Sequence, residues 1–427
     1  MSEFPTELTT PPIIGAEYEF GILEQEYPEE RERIDLENLV KELYTDVRAN
    51  IEKMPPAEAA EKARMVEISK SFEKLSQNQI EKLYDRHRDK YYHHPKHSLN
   101  LAVTGVKELR RIQGMKAGVV SELDVLIFIA EALGHDAVMK ELVAPGVELT
   151  KENEKQIPVG KTIMRNRGME DGDALAGREG NEAKSADELL EEMANDEILK
   201  QLLENNKGLR ERIRKDIGTT YPKPIFKNND FKDDFLGFEQ PHNDPDVSIT
   251  GFVLGTEDLA RPYNKPLDQS DQIWAEGNAE WKETNRPIML RIKAALERAG
   301  NSRKNKIQAI FKEFPSEQER YLIVNGVFNA EKQKNEGGIV GWLKFQETFV
   351  GTVEQQFKKR SSENKVLNDA GLAEAYQEDF NFDHAKKITK QKAERIQAAV
   401  EKDYDGKSAW NDEETFFKLL QEIGAVE

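Results

Sequence analysis

Apolar residues recur three and four positions apart along most of this chain, which is the spacing of one face of an α-helix. The spacing predicts helices over residues 36–52, 57–84 and 95–114. Residues 125–134 are instead apolar on nearly every side, so the helix that they form should be central and buried. The first third of the chain therefore predicts a bundle of helices around one inner helix.

Polar residues and prolines mark where these helices begin and end. Ser121 followed by Asp124 has the spacing of a helix N-cap and its reciprocal partner, and predicts the start of the inner helix. Further helices are predicted over 185–203 and 247–260, with a loop rich in Pro, Asn and Asp over 221–245 between them. The last third of the chain returns to helical spacing, and strand-like alternation is nearly absent. We expect an all-α fold.

Composition narrows the class of function. The chain has 427 residues, a net charge of −18 and no cysteine. The acidic balance disfavours broad nucleic-acid binding, which normally uses a basic face, and the lack of cysteine excludes disulfides and thiolate metal sites. No apolar stretch approaches the ~20 residues of a membrane span. The first residues also lack the basic and apolar regions of a signal peptide, so we expect a cytoplasmic protein without a membrane partner.

Histidines and acidic residues occupy three of the predicted helices. His93 and His97 belong to a Tyr-His-His-Pro-Lys-His segment at the start of one predicted helix. Their spacing of four lets both side chains face the same side. His135-Asp136 ends the inner helix, and Asp258 lies near the end of the helix over 247–260. Imidazole and carboxylate groups together are suitable ligands for a divalent metal ion.

This ordered set resembles the HD superfamily of metal-dependent phosphohydrolases, and within it the cyclic-nucleotide phosphodiesterase-like branch. The resemblance implies that His97, His135, Asp136 and Asp258 bind the metal. It also implies that His93 is the general acid, because a tyrosine-histidine pair precedes the first ligand in that family. The expected reaction is hydrolysis of a phosphate ester or phosphodiester of a small, nucleotide-type substrate by metal-activated water.

Three more residues gain an expected role from the same resemblance. The segment around Glu182 is similar to a bacterial variant in which an Asn-Glu pair replaces additional histidines, so Glu182 is expected to orient or deprotonate the attacking water or to complete the metal shell. Gln346 and Phe349 have the spacing of the glutamine and the aromatic residue that hold a purine. No histidine lies between residues 136 and 241, so a second metal ion would lack its usual ligands.

The resemblance also implies a domain organisation. It divides the chain into an N-terminal acidic segment with helices over 1–84, a metal phosphohydrolase core over 85–285 and a helical region over 286–427, which completes the substrate pocket around 340–350. Two histidines and two carboxylates suit manganese, iron, zinc, cobalt or nickel better than calcium, with magnesium retained as an option.

Every one of these residues also has a purely structural interpretation. A buried His-Asp pair is often only hydrogen-bonded, and Asp258 would then be a charged surface residue. Glu182 would be an acid at a helix N-terminus, and Gln346 and Phe349 would be ordinary core residues. Three alternative functions stay open on the sequence: a one-metal nucleotidase, a non-catalytic scaffold that binds a nucleotide or protein partner, and a nuclease. The sequence leaves the oligomeric state open.

Overall fold

The described part of the chain is helical almost throughout, which confirms the predicted all-α fold. The structure is a computed structural model that describes residues 29–54, 59–88, 90–138, 142–144, 147–148, 181–220, 223–226, 235–239, 247–263, 272–329 and 334–426. Within these ranges there are 17 α-helices and three short antiparallel strand pairs.

The helices and strands have the following bounds. The first eight helices are α1 (Glu29–Glu52), α2 (Ala59–His87), α3 (Pro95–Met115), α4 (Glu122–Gly134), α5 (Asn181–Asn195), α6 (Glu197–Asn205), α7 (Leu209–Ile217) and α8 (Ile249–Ala260). The others are α9 (Gln272–Thr284), α10 (Arg286–Ala299), α11 (Arg303–Glu313), α12 (Glu317–Asn325), α13 (Gly338–Glu363), α14 (Lys365–Ala370), α15 (Ala373–Gln377), α16 (Phe382–Glu401) and α17 (Glu413–Glu422). The strand pairs are β1 (Leu142–Ala144) with β2 (Val147–Glu148), β3 (Lys223–Phe226) with β4 (Phe235–Glu239), and β5 (Val327–Asn329) with β6 (Lys334–Glu336).

Capping residues set the start of the two helices that carry the candidate ligands. Ser121 and Asp124 form the predicted capping box at α4, in which each side chain bonds to the other's backbone N–H. At α3 the Nδ1 atom of His94 accepts a hydrogen bond from Lys96 N at 3.2 Å, and Pro95 occupies the first helical position. Both starts were predicted from the sequence and both are confirmed.

Three expectations from the sequence about secondary structure were wrong. The single helix over 185–203 is two helices, because the Asp196 carboxylate caps the N–H groups of Ile198 and Leu199 and starts α6 there. The loop over 221–245 contains the pair β3–β4, whose short strands satisfy each other's backbone groups. Residues 1–35 are acidic and interrupted by prolines, which predicts a loose terminus, but α1 already begins at Glu29.

The buried apolar residues form two clusters that divide the helices between them. The first cluster contains residues of α1–α8, the C-terminal half of α13, α14, α15 and the start of α16. The second contains residues of α9–α12, the N-terminal half of α13, the rest of α16 and α17. Helix α13 therefore belongs to both clusters. The domain boundaries expected from the sequence stay a prediction.

Helix α4 lies at the centre of the first cluster, as its apolar sequence predicted. Every residue over 125–134 is buried, and α4 packs against α1, α2, α3, α5, α7 and α8. Its approach to α3 is close: a Cβ atom added at Gly105 would lie 2.0 Å from Cζ of Phe128. The absence of a side chain at this position brings α3 and α4 together, and with them the candidate ligands that they carry. Among the described residues, no helix combines the length and apolar character needed to cross a membrane.

Candidate metal centre

Three of the four predicted ligands meet inside the first cluster. His97 lies in the first turn of α3, His135 follows the last residue of α4, and Asp136 comes directly after it. One ligand atom from each of the three lies within 4.8 Å of the others, and all three residues are buried. This spacing allows all three atoms to bind one ion. The group can hold a metal ion on its geometry and on the chemistry of its donors.

Asp258 from α8 approaches the same place. Its Oδ1 atom lies 3.1 Å from Nε2 of His97 and 3.9 Å from Nε2 of His135. The side chain is 6% exposed, so the alternative interpretation of Asp258 as a surface charge is wrong. Four candidate ligands are thus carried by the ends of α3, α4 and α8, which pack against one another in the first cluster.

The ring of His135 is oriented by the backbone of its own helix. Nδ1 lies 2.8 Å from the carbonyl oxygen of Ala132, and because a carbonyl only accepts, Nδ1 carries the hydrogen. The neutral imidazole then has its lone pair on Nε2, which is the arrangement usual for a metal-binding histidine. Nε2 lies 3.0 Å from Oδ2 of Asp136 but makes no well-directed hydrogen bond within the described residues. Nε2 of His135 and Oδ2 of Asp136 are therefore better placed to bind one metal ion together than to hydrogen-bond to each other.

The charges of the cluster shift the pKa values of its members. Burial alone would lower the pKa of His135, but the nearby negative charges of Asp136 and Asp258 raise that pKa to about 9. Burial alone would raise the pKa of Asp136, but the imidazoles of His135 and His93 lower it well below its usual value. In the metal-free protein, a proton on His135 therefore supplies the positive charge that the two carboxylates attract.

His93 lies beside this cluster with its two ring nitrogens facing different acids. Nε2 is 3.8 Å from Oδ2 of Asp136, and Nδ1 is 3.5 Å from Oε2 of Glu283. The other oxygen of Glu283 accepts hydrogen bonds from the backbone N–H groups of Tyr92 and His93, at 2.9 and 3.2 Å. The Glu283 carboxylate therefore fixes both the backbone and the ring of His93.

Glu283 was missed in the sequence. It lies in α9, which belongs to the second apolar cluster, and 190 residues separate it from His93. An acid on a helix face has no special spacing, so no local signal distinguishes Glu283 from its neighbours Glu276 and Glu280. Only the fold, which brings α9 to the segment just before α3, places this carboxylate beside His93.

The last turn of α2 holds the backbone directly after Asp136. The carbonyl oxygen of Ala137 lies 2.9 Å from Nη1 of Arg86 and 3.4 Å from Nε2 of His87. The sequence alone predicts His87 at the surface, but this residue is buried, because α2 continues to it and packs its end against the end of α4. These contacts fix the turn that positions the Asp136 carboxylate.

The structure also gives the positions of Glu182, Gln346 and Phe349. Glu182 is buried in the first turn of α5, which packs on α4, and Ser185 of that helix accepts a hydrogen bond from Val138 N at 3.0 Å. Gln346 is buried in α13 against α9, where a Cβ atom added at Gly277 would lie 3.2 Å from its side chain. The expected roles of Glu182, Gln346 and Phe349 stay predictions.

Phe349 is half-buried and belongs to a row of aromatic rings along α13. Its ring stacks on that of Phe345, with centroids 5.7 Å apart, and Phe345 stacks in turn on Trp342 at 5.2 Å. Gln346 faces Gly277 of α9, and the same helix carries Glu283, whose carboxylate contacts His93.

Comparison with known proteins gives no match for the chain among family models, curated proteins or solved structures.

Proposed function

We propose that this protein is a metal-dependent phosphohydrolase that cleaves a phosphate ester or phosphodiester of a small, nucleotide-type substrate. The observation that carries the proposal is the convergence of His97, His135 and Asp136 on one buried place, which Asp258 approaches from α8. A structural hydrogen-bond pair needs only two of these groups. Four of them, with His93 beside them, are more than packing requires.

The donor set fits a divalent transition metal. Two imidazoles and two carboxylates offer mixed nitrogen and oxygen ligands, which suit manganese, iron, zinc, cobalt or nickel. The Ala132 carbonyl holds a hydrogen on Nδ1 of His135, so the lone pair of the neutral ring lies on Nε2 once the second proton has left. When bound, such an ion lowers the pKa of a water molecule and neutralises charge on the phosphoryl oxygens.

His93 is suited to the proton transfer that such a reaction requires. The leaving oxygen of a phosphate ester must gain a proton as its bond to phosphorus breaks. Glu283 lies beside Nδ1, which leaves Nε2 as the nitrogen of His93 on the Asp136 side of the ring. We assign to Nε2 the proton that the leaving oxygen receives, and to Glu283 the orientation of the ring.

The remaining residues are assigned to the two ends of a nucleotide substrate, its phosphate and its base. Glu182, at the buried start of α5, is assigned to orienting the attacking water. Gln346 is assigned to hydrogen bonding with a base, and Phe349 to stacking on it. The resemblance of the motifs supports these roles. A small substrate also agrees with the net charge of −18, which disfavours a long nucleic acid.

Metal content tests the proposal first. Elemental analysis of tag-free protein, purified without chelator, should find about one equivalent or more of a transition metal. Asp136→Asn should lose this metal. Asp383→Asn, which removes an acid that is 90% exposed on α16, should retain it and serves as the matched control.

Turnover tests the proposal second. The wild-type protein is screened against cyclic and linear nucleotides, together with His93→Ala, which should keep its metal and lose activity. Absence of metal in the wild type, even after incubation with manganese, iron or zinc, would overturn the proposal and favour a non-catalytic scaffold. Metal without turnover of any phosphate ester would leave a metal-binding scaffold and equally end the hydrolase assignment.

A further inference from the structure

A second group of buried acids lies between α4, α7 and α8, apart from the candidate metal ligands. Glu131 lies one helical turn before His135 on α4, and Asp216 lies near the end of α7. Both side chains are fully buried. Within the described residues, neither oxygen of Glu131 receives a hydrogen bond, and neither does Oδ1 of Asp216. Three carboxylate oxygens without a donor in the core need an explanation, because an ionised carboxylate there is costly.

The donors near these acids all serve other oxygens. Oδ2 of Asp216 accepts hydrogen bonds from Ser248 Oγ at 2.5 Å, Thr250 Oγ1 at 2.8 Å and Arg212 Nε at 3.4 Å. The Nη2 atom of Arg212 donates to Oδ1 of Asp124 at 2.7 Å. One guanidinium therefore faces three acids, and full ionisation would leave two net negative charges inside the protein.

The surroundings favour the neutral form of these acids. Burial raises the pKa of Glu131 well above its usual value, and the charge of Asp216 raises it further, partly opposed by Arg212. The charges acting on Glu131 are those of Asp216 and Arg212 from α7 and Asp124 from α4 itself, while α8 faces Asp216 with the Ser248 and Thr250 hydroxyls. Burial likewise raises the pKa of Asp216.

We propose that Glu131 and Asp216 share one proton at neutral pH, with a carboxylic acid hydrogen bond between a Glu131 oxygen and Oδ1 of Asp216. This bond gives Oδ1 a donor and removes one of the two net charges. Calcium is a poorer explanation, since it binds six to eight oxygens and, among the described residues, three carboxylate oxygens lack a donor here. The backbone of α8 is also close, because a Cβ atom added at Gly251 would lie 2.3 Å from Oδ1.

The shared proton links α4 to α7 by a hydrogen bond, one helical turn before His135 and Asp136. The folded protein holds this proton, whereas the unfolded chain has released it above the ordinary glutamate pKa of about 4.3. Rising pH therefore favours unfolding until the folded pair itself ionises. One proton changes the unfolding equilibrium constant about tenfold for each pH unit in this range. The inference does not depend on the proposed function.

The test compares urea unfolding of the metal-free wild type with Glu131→Gln between about pH 5 and pH 9. Glutamine has the shape of the neutral acid and donates to Asp216 at every pH. The ratio of the wild-type unfolding constant to that of Glu131→Gln should rise about tenfold per pH unit over the range in which the pair keeps its proton. Other titrations, including that of His135, occur in both proteins and cancel in this ratio. Glu211→Gln, an exposed position on α7, should behave as the wild type.

Infrared spectroscopy supplies an independent reading. The wild type and Glu211→Gln should show the carbonyl stretch of a protonated carboxyl at pH 7, and Glu131→Gln should lack it. A flat ratio across the pH range, or no such band in the folded wild type, would overturn the shared proton. A cation found by elemental analysis in the wild type and lost in Glu131→Gln would also overturn it. If Glu131→Gln does not fold, the wild-type band decides the matter alone.

Discussion

Metal binding at the proposed centre should release a proton below about pH 9. In the metal-free protein, Asp136 and Asp258 hold the pKa of buried His135 at about 9, so this ring carries two protons at pH 7. A metal ligand must be neutral, so binding expels the proton from Nε2. The apparent association constant should therefore rise about tenfold per pH unit from pH 7 and level off near pH 9. Over two pH units the gain is about 2.7 kcal/mol.

The same shift has a definite sign for stability. The folded pKa of His135 lies above its unfolded value of about 6.5, so its contribution to stability is complete below that value and is lost as pH rises through about 9. The metal-free protein should lose stability over this window, and bound metal should restore it most strongly at the alkaline end.

Calorimetric titration with zinc or manganese, in two buffers that differ in ionisation enthalpy, counts the protons released. The proton displaced from His135 should contribute about one released proton per metal ion at pH 7 and none near pH 10, in addition to the proton that a metal-bound water loses at alkaline pH. Asp383→Asn, which removes an exposed acid, should match the wild type at both pH values. Equal affinities at pH 7 and 8 without proton release would refute the reasoning.

Three further predictions follow from particular contacts. His93→Ala should keep the metal and lower turnover about 10²- to 10⁴-fold. Glu283→Gln should keep the metal and shift the alkaline limb of the pH–rate profile, where a general acid loses its proton, because Glu283 faces Nδ1 of His93; a profile that does not move would contradict the role of Glu283. Gly105→Ala should lower the free energy of urea unfolding by roughly 1–3 kcal/mol, because its Cβ meets the Phe128 ring; wild-type stability would show that α3 and α4 can separate freely. Asp196→Ala should lower that free energy by about 1 kcal/mol, measured the same way, because it removes the cap of α6; an unchanged midpoint would mean that the cap is redundant.

Much of the first cluster follows from local sequence. The apolar run of α4 predicted both its helix and its burial, and the Ser121–Asp124 box fixed its start. The spacing of four between His93 and His97 required only that one helix begin there. Features that depend on neighbours a few residues away are readable in a sequence, because helix geometry is local.

Features that depend on distant partners were not readable. Strand β3 has four residues and gains its structure from pairing with β4, so the segment alone resembles a loop. The break at Asp196 was also missed, since its capping competes with a helical spacing that continues through it. Glu283 reaches His93 only because two apolar clusters meet, and spacing along the chain carries no information about that contact.

The place of Glu283 has a consequence for how the protein fails. All four candidate metal ligands lie on helices of the first cluster, whereas the carboxylate that holds His93 belongs to the second. Damage confined to the second cluster, by heat, protease or mutation, would leave a molecule that still carries its metal but has lost the alignment of its proton donor. Metal occupancy would then overstate the fraction of working molecules, and inactivation would come before metal loss.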